Sequence, residues 1–202
     1  MNKWAPYFGL LLLPLFLVRP VMADNAPDAV VKETADLVLA EVVLLKKELN
    51  QSPEKIYQLV EHIVLPRFDF LRMSRLVLGK YWKRAKESEK EAFIGAFREL
   101  LIRTYTMALL NYSGQKIEYL PFRHIGNATN VTVSTRVSES GAIPVPINYK
   151  LYLDEDGWKV YDVVIDGVSL VSNYRTSFSS RIRRYKLSGL IRKLELRNKQ
   201  GK

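Results

Sequence analysis

Residues Val145 to Ile165 read VPINYKLYLDEDGWKVYDVVI, two alternating runs on either side of an Asp-Gly turn. In the first run Val145, Ile147, Tyr149, Leu151 and Leu153 alternate with Pro146, Asn148, Lys150 and Tyr152, the period of a strand with one apolar face. Asp154-Glu155-Asp156-Gly157 then supplies a hairpin turn, because its Asp-Gly pair suits positive φ. The same acids invite comparison with a calcium loop, but no further ligands follow at the required spacing. The second run, Trp158 to Ile165, puts Lys159, Tyr161, Val163 and Ile165 on one face and Trp158, Val160, Asp162 and Val164 on the other. A strand largely apolar on both faces is expected to be covered on both.

Two further strands precede this pair. Ile117, Tyr119 and Pro121 mark one, and Val131, Val133, Thr135 and Val137 alternate with Thr132, Ser134 and Arg136 in the next. Asp166-Gly167 turns the chain after Ile165, and Val168, Leu170, Val171 and Tyr174 start a helix. Four strands on short links, with helices before and after, predict an α+β fold built on an antiparallel meander. The N-terminal half is helical in period. Asn25 ahead of Pro27 caps a first helix, Ser52-Pro53 opens a second that ends at Pro66, and Phe68 to Leu78 forms a third.

The long helical stretch, Leu76 to Tyr105, reads LVLGKYWKRAKESEKEAFIGAFRELLIRTY. Its charged break predicts a capping box, with Ser88 as N-cap and Glu91 three residues on. Beyond it Phe93, Ala96, Phe97, Leu100, Leu101, Thr104, Tyr105 and Ala108 fall on one helical face. Large aromatics mixed with Ala and Gly can leave space between elements.

The chain has 202 residues, is 48% hydrophobic and 26% charged, and so is neither disordered nor a membrane bundle. Residues 1–23 read as a cleaved signal peptide: Lys3 at the start, an apolar run from Leu10 to Val18 broken by Pro14, and Val21-Met22-Ala23 as the cleavage site. Residues 24–202 then form a single domain, with the sheet over about 115–167 and a basic helical tail over 181–202. There is no Cys, which excludes disulfides, thiol chemistry and a lipoprotein anchor. Loss of Lys3 and Arg19 with the leader takes the formal net charge from +10 to +8. Behind an export signal that charge points to anionic membrane or acidic protein surfaces, not to nucleic acid, or else serves solubility alone.

Catalytic groups are sparse. His62 and His124 have no partner at a readable spacing, and there is no phosphate loop, metal-ligand cluster or nucleophile elbow. Asp162 and Asp166 stand about 13 Å apart by strand rise, too far for a catalytic carboxylate pair. No cofactor and no enzymatic activity are expected.

Three separated patches resemble the MlaC family of phospholipid-binding, toluene-tolerance auxiliary proteins. They are Leu76–Lys83 (LVLGKYWK) with Glu91–Leu101 (EAFIGAFRELL), Tyr161–Leu170 (YDVVIDGVSL), and Gly189-Leu190-Ile191 with Leu194. The resemblance implies a curved sheet of the nuclear-transport-factor-two-like kind, with an added helical subdomain, enclosing an apolar pocket. It implies a periplasmic carrier shuttling phospholipid between two docking partners and maintaining outer-membrane lipid asymmetry. These are an outer-membrane lipoprotein associated with a porin (MlaA) and the MCE-domain subunit of an inner-membrane ABC transporter. A two-chain lipid carries roughly thirty methylenes at ~0.8 kcal/mol each, so ~24 kcal/mol of apolar surface must be hidden. The walls expected from the sheet are Val133, Tyr149, Leu151, Tyr161, Val163 and Ile165. Those expected from the helices are Leu76, Leu78, Tyr81, Phe97, Leu101, Tyr105 and Val168. In the tail, Arg181, Arg183 and Arg184 are expected to meet a partner while Leu187 to Leu194 pack on the domain. Two other readings are an isomerase-like enzyme of similar fold, using Tyr161 and Asp162, and a basic membrane-surface adaptor. Tyr161 and Asp162 are adjacent on a strand and so point to opposite faces, which counts against the enzyme.

Overall fold

The computed structural model describes residues 26–52, 54–123 and 126–200. The leader, the cap at Asn25, Pro53, His124 and Lys202 lie outside them. Helices α1 (Pro27–Leu44), α2 (Lys46–Gln51) and α3 (Lys55–Ile63) lead through a 3-10 turn, Leu65–Arg67, into α4 (Phe70–Leu78). A second 3-10 turn, Gly79–Arg84, connects to the long helix α5 (Glu87–Leu110). The sheet follows as β1 (Lys116–Tyr119), β2 (Asn130–Ser138), β3 (Val145–Asp154), β4 (Gly157–Ile165) and β5 (Val168–Ser169), antiparallel and in chain order. Helix α6 (Leu170–Gln200) closes the chain.

The sheet has five strands, not the four expected. Asp166 and Gly167 both take positive φ, 49° and 78°, the geometry of a two-residue hairpin turn. The chain therefore doubles back on β4, and Val168 pairs with Ile165 before the helix starts. Val168 is thus a strand residue and not the first turn of a helix. The capping box is also displaced. Lys86 is extended, α5 begins at Glu87, and the Glu89 carboxylate accepts from the Lys86 backbone N–H at 3.1 Å. Ser88 and Glu91 are already helical, because the 3-10 turn ends early enough for the helix to start two residues sooner.

The decisive feature of β4 is a bulge. Lys150 pairs with Asp162 but Leu151 pairs with Val160, so Tyr161 is an extra residue on β4. The bulge shifts the alternation by one. Trp158 and Val160 before it face the same way as Val163 and Ile165 after it, and all four join Ile147, Tyr149, Leu151 and Leu153 of β3. The two apolar phases of the strand are gathered onto one side. Tyr161 is turned to the other side, where Arg72 of α4 lies 3.8 Å from the Tyr152 ring centre and 4.5 Å from that of Tyr161. Asp69 anchors α4 at the same place. Its N–H donates to the Val160 carbonyl at 2.9 Å, and its carboxylate accepts from the Arg72 N–H at 2.8 Å and from the Tyr152 hydroxyl.

Helix α5 is buried on two sides. Phe93, Phe97 and Leu100 pack on α4 and α6, with the Phe93 and Phe97 rings stacked at 5.6 Å and Phe178 edge-on to both. Aromatic pairs of this kind contribute ~0.5–1.5 kcal/mol beyond their buried area. A second cluster lies between the sheet and α1, and a third ties α1, α2 and α3 together. Helix α6 is broken at Lys186 (φ 61°), and Leu187, Leu190, Ile191 and Leu194 beyond the break are buried against α4 and α5.

Asp162 is 3% exposed and accepts three hydrogen bonds: from Lys150 Nζ at 3.0 Å, Ser169 Oγ at 2.7 Å and the Val171 N–H at 3.1 Å. It caps the start of α6 from a neighbouring strand. Asp162→Ala leaves the Val171 N–H without a partner and the Lys150 ammonium and Ser169 hydroxyl without their acceptor, so a loss of about 2–4 kcal/mol is expected. A urea midpoint shifted down at unchanged slope checks this.

Candidate functional site

Between the bulged sheet face and the helices is a cavity of about 680 Å³. Its floor is Ile147, Tyr149, Val163 and Ile165 of β3 and β4. Its roof is α1, through Val31, Ala35, Val38 and Leu39, and one side is α5, through Leu101, Ile102, Tyr105 and Thr106. Val64, Leu65 and Phe68 close it near the first 3-10 turn. Small residues are among the lining: Thr34 and Ala35 on α1, and Thr106 and Ala108 on α5, take up little of the space.

The lining is almost free of charge. Arg67 is the single charged side chain among the lining residues, and it is exposed, at the edge. Thr106 is 2% exposed and its hydroxyl has no partner within the protein. Tyr149 is held protonated by burial, against the opposing effect of a hydrogen bond with Thr135. Burial, and then Tyr174 beside it, push Tyr105 up to about 12. Neither phenol therefore brings charge into the cavity at neutral pH. Among the described residues no group of three His, Cys, Asp or Glu side chains is placed to hold a metal ion. His62 is exposed, with Nδ1 2.7 Å from the Gln58 carbonyl on its own helix. The arrangement offers shape and dryness, and no acid–base or nucleophilic pair.

Of the side chains singled out from the sequence, Leu101, Tyr105, Tyr149, Val163 and Ile165 line the cavity. The others are elsewhere. Leu76, Leu78, Tyr81 and Phe97 belong to the filled core around α4, α5 and α6. Val133 and Leu151 are sealed in the packed part of the sheet face, at 2% and 0% exposure. Tyr161 is on the opposite face because of the bulge, and Val168 is 54% exposed. A Glu at position 168 would stand in water. Arg181, Arg183 and Arg184 are exposed on α6, across α5 from the cavity. The α1 wall and Arg67 were not anticipated as site residues. The apolar spacing of α1 was visible, but not which elements it faces.

At ~30 Å³ for a water-sized group, about the bulk of a methylene, the cavity offers room on the order of twenty such groups. Covering its apolar lining with an apolar guest gains ~25 cal/mol for each Å² taken from water. Ala35→Trp would displace at least two methylenes of that guest, about 1.6 kcal/mol, so uptake of a fluorescent fatty-acid probe should weaken tenfold or more. Tyr105 makes a separate prediction. Its phenol is raised from 10.0 to about 12, so the folded state holds its proton after the unfolded state has lost it. That contribution is fully present below about pH 10 and is lost as pH rises toward 12, so urea midpoints should fall more steeply across that window in the parent than in Tyr105→Phe, where the other raised tyrosines still titrate.

The family model described as MlaC protein matches residues 32–196 of this chain. The chain is 24% identical over 198 residues, 96% of its length and 92% of the relative's, to the intermembrane phospholipid transport system binding protein MlaC of Haemophilus influenzae. It is 25% identical over 177 residues, 87% of its length and 82% of the relative's, to the toluene tolerance protein ttg2D of Pseudomonas putida. Among solved structures it is similar to the phospholipid-binding protein of Ralstonia solanacearum in complex with a phospholipid. The TM-score is 0.79 and the identity 35%, over 86% of this chain and 97% of that one.

Proposed function

The chain belongs to the MlaC family, and on that premise we propose that it is a periplasmic carrier of phospholipid, holding acyl chains in the cavity between α1, α5 and the sheet. The single observation that carries this reading is the apolar 680 Å³ cavity, whose lining residues include one charged side chain, the exposed Arg67. Acyl chains need an apolar enclosure and no specific bonds, whereas a headgroup phosphate needs water or a cation. The lining separates those two requirements in space. Room for about twenty methylenes suits one full chain and part of a second.

A relative solved with a phospholipid, at 35% identity over most of both chains, supports the same ligand class here. Shuttling between an outer-membrane complex and an inner-membrane ABC transporter, and upkeep of lipid asymmetry, follow from the family reading and from the export leader. Release is then driven by those partners, and the carrier contributes a passive cavity. The isomerase-like alternative loses its acid, because Asp162 is committed to Lys150 and to capping α6.

Native mass spectrometry of the mature protein tests the proposal. The expected result is a discrete added mass matching one phospholipid, confirmed by organic extraction. Val163→Asp places a carboxylate among the cavity's aliphatic side chains without a partner, and should leave folded protein bare. Wild-type protein that stays bare after incubation with lipid vesicles would overturn the reading.

A further inference from the structure

Helix α6 carries a second feature that the cavity does not use. From Arg181 to Lys199 it exposes Arg181, Arg183, Arg184, Lys186, Arg192, Lys193, Arg197 and Lys199 against one acid, Glu195. None of these cations appears in an ion pair among the described residues. Lone surface cations are common, but a run of this density on one element is not neutralised locally and sets up a strong positive field.

The break at Lys186 decides where the run points. In a continuous helix Tyr185 and Lys193 would be about 12 Å apart along the axis. Here Lys193 Nζ lies 3.6 Å from the centre of the Tyr185 ring, and the Arg184 guanidinium lies 6.0 Å from the same ring. The segment after Lys186 is therefore kinked out of line with the one before it, and cations from both converge on one exposed aromatic. Gly189 makes the kink tight, since a Cβ there would stand 2.8 Å from Tyr185 Cβ. The apolar residues of the second segment are spent on the core around α4 and α5, so the helix cannot swing over the cavity with its basic side inward. Tyr185 at 42% exposure and Leu196 at 59% add amphipathic contact area within the basic surface.

We infer that this kinked basic surface of α6 docks on anionic phospholipid bilayers. The inference rests on the carrier reading for its purpose, since docking would hold the cavity near its lipid source, but its chemistry is independent of the cavity. Clustered Lys and Arg gain from an anionic surface, Tyr and Leu prefer the interface, and α6 exposes both kinds, with Arg184 and Lys193 meeting at Tyr185. An acidic protein surface is the competing partner.

The test is flotation of the lipid-loaded mature protein with phosphatidylcholine vesicles, with and without phosphatidylglycerol. Association should require the anionic lipid and should fall steeply with added salt. Each near-surface cation strengthens partition about fivefold, so R181Q/R183Q/R184Q should weaken it about a hundredfold. The matching triple Lys variant should retain it. Native mass spectrometry on the same samples should show unchanged cavity lipid, which separates this inference from the carrier proposal. Equal binding to both vesicle types, no binding to either, or salt-insensitive binding would overturn it and leave an acidic protein as the partner. If the Gln variant does not fold, the salt titration of the parent protein decides the matter alone.

Discussion

A single extra residue in β4 governs how the rest of the molecule is arranged. Without the bulge at Tyr161, Trp158 and Val160 would face away from Val163 and Ile165, and neither side of the strand would be fully apolar. With it, eight large side chains from β3 and β4 form one continuous apolar face. That face is too wide for α5 to cover alone, so α1 is drawn across it, and the unfilled remainder is the cavity. The same bulge presents Tyr161 to Arg72, which joins Asp69 in tying α4 to the far side of the sheet.

The Tyr161–Leu170 patch serves construction more than chemistry. Tyr161 is the bulge, Asp162 caps α6, Asp166-Gly167 makes the positive-φ turn, and Ser169 accepts from the Ser172 N–H at 3.1 Å at the start of the helix. Each residue type answers a backbone requirement that few others meet. Buried carboxylates invite a catalytic reading, yet this one has its oxygens occupied by structural donors. A binding protein that relies on apolar enclosure has no need to leave an acid free.

Helix α5 separates the two halves of the molecule's proposed work. One side, through Phe93, Phe97 and Leu100, packs against α4 and α6 as an ordinary filled core. The other, through Ile102, Tyr105 and Thr106, faces the cavity. The basic surface of α6 thus lies across α5 from the cavity, and substitutions in one can be made without touching the other.

Local pattern alone determined the helical first half, the first four strands, the turns at Asp154–Gly157 and Asp166–Gly167, and the apolar packing of Leu187 to Leu194. These follow from periodicity and from residues with narrow backbone preferences, both of which are local. The cavity-lining set was only partly legible: Leu101, Tyr105, Tyr149, Val163 and Ile165 meet there, whereas Phe97, Leu78 and Val133 are filled core. An apolar stripe has the same composition whether it faces another stripe or a void, so pattern cannot tell the two apart. The bulge was equally hidden, because one inserted residue changes the face of its neighbours without changing their type. What surrounds a side chain depends on which elements cross above it, and that was decided only when α1, α5 and the sheet came together.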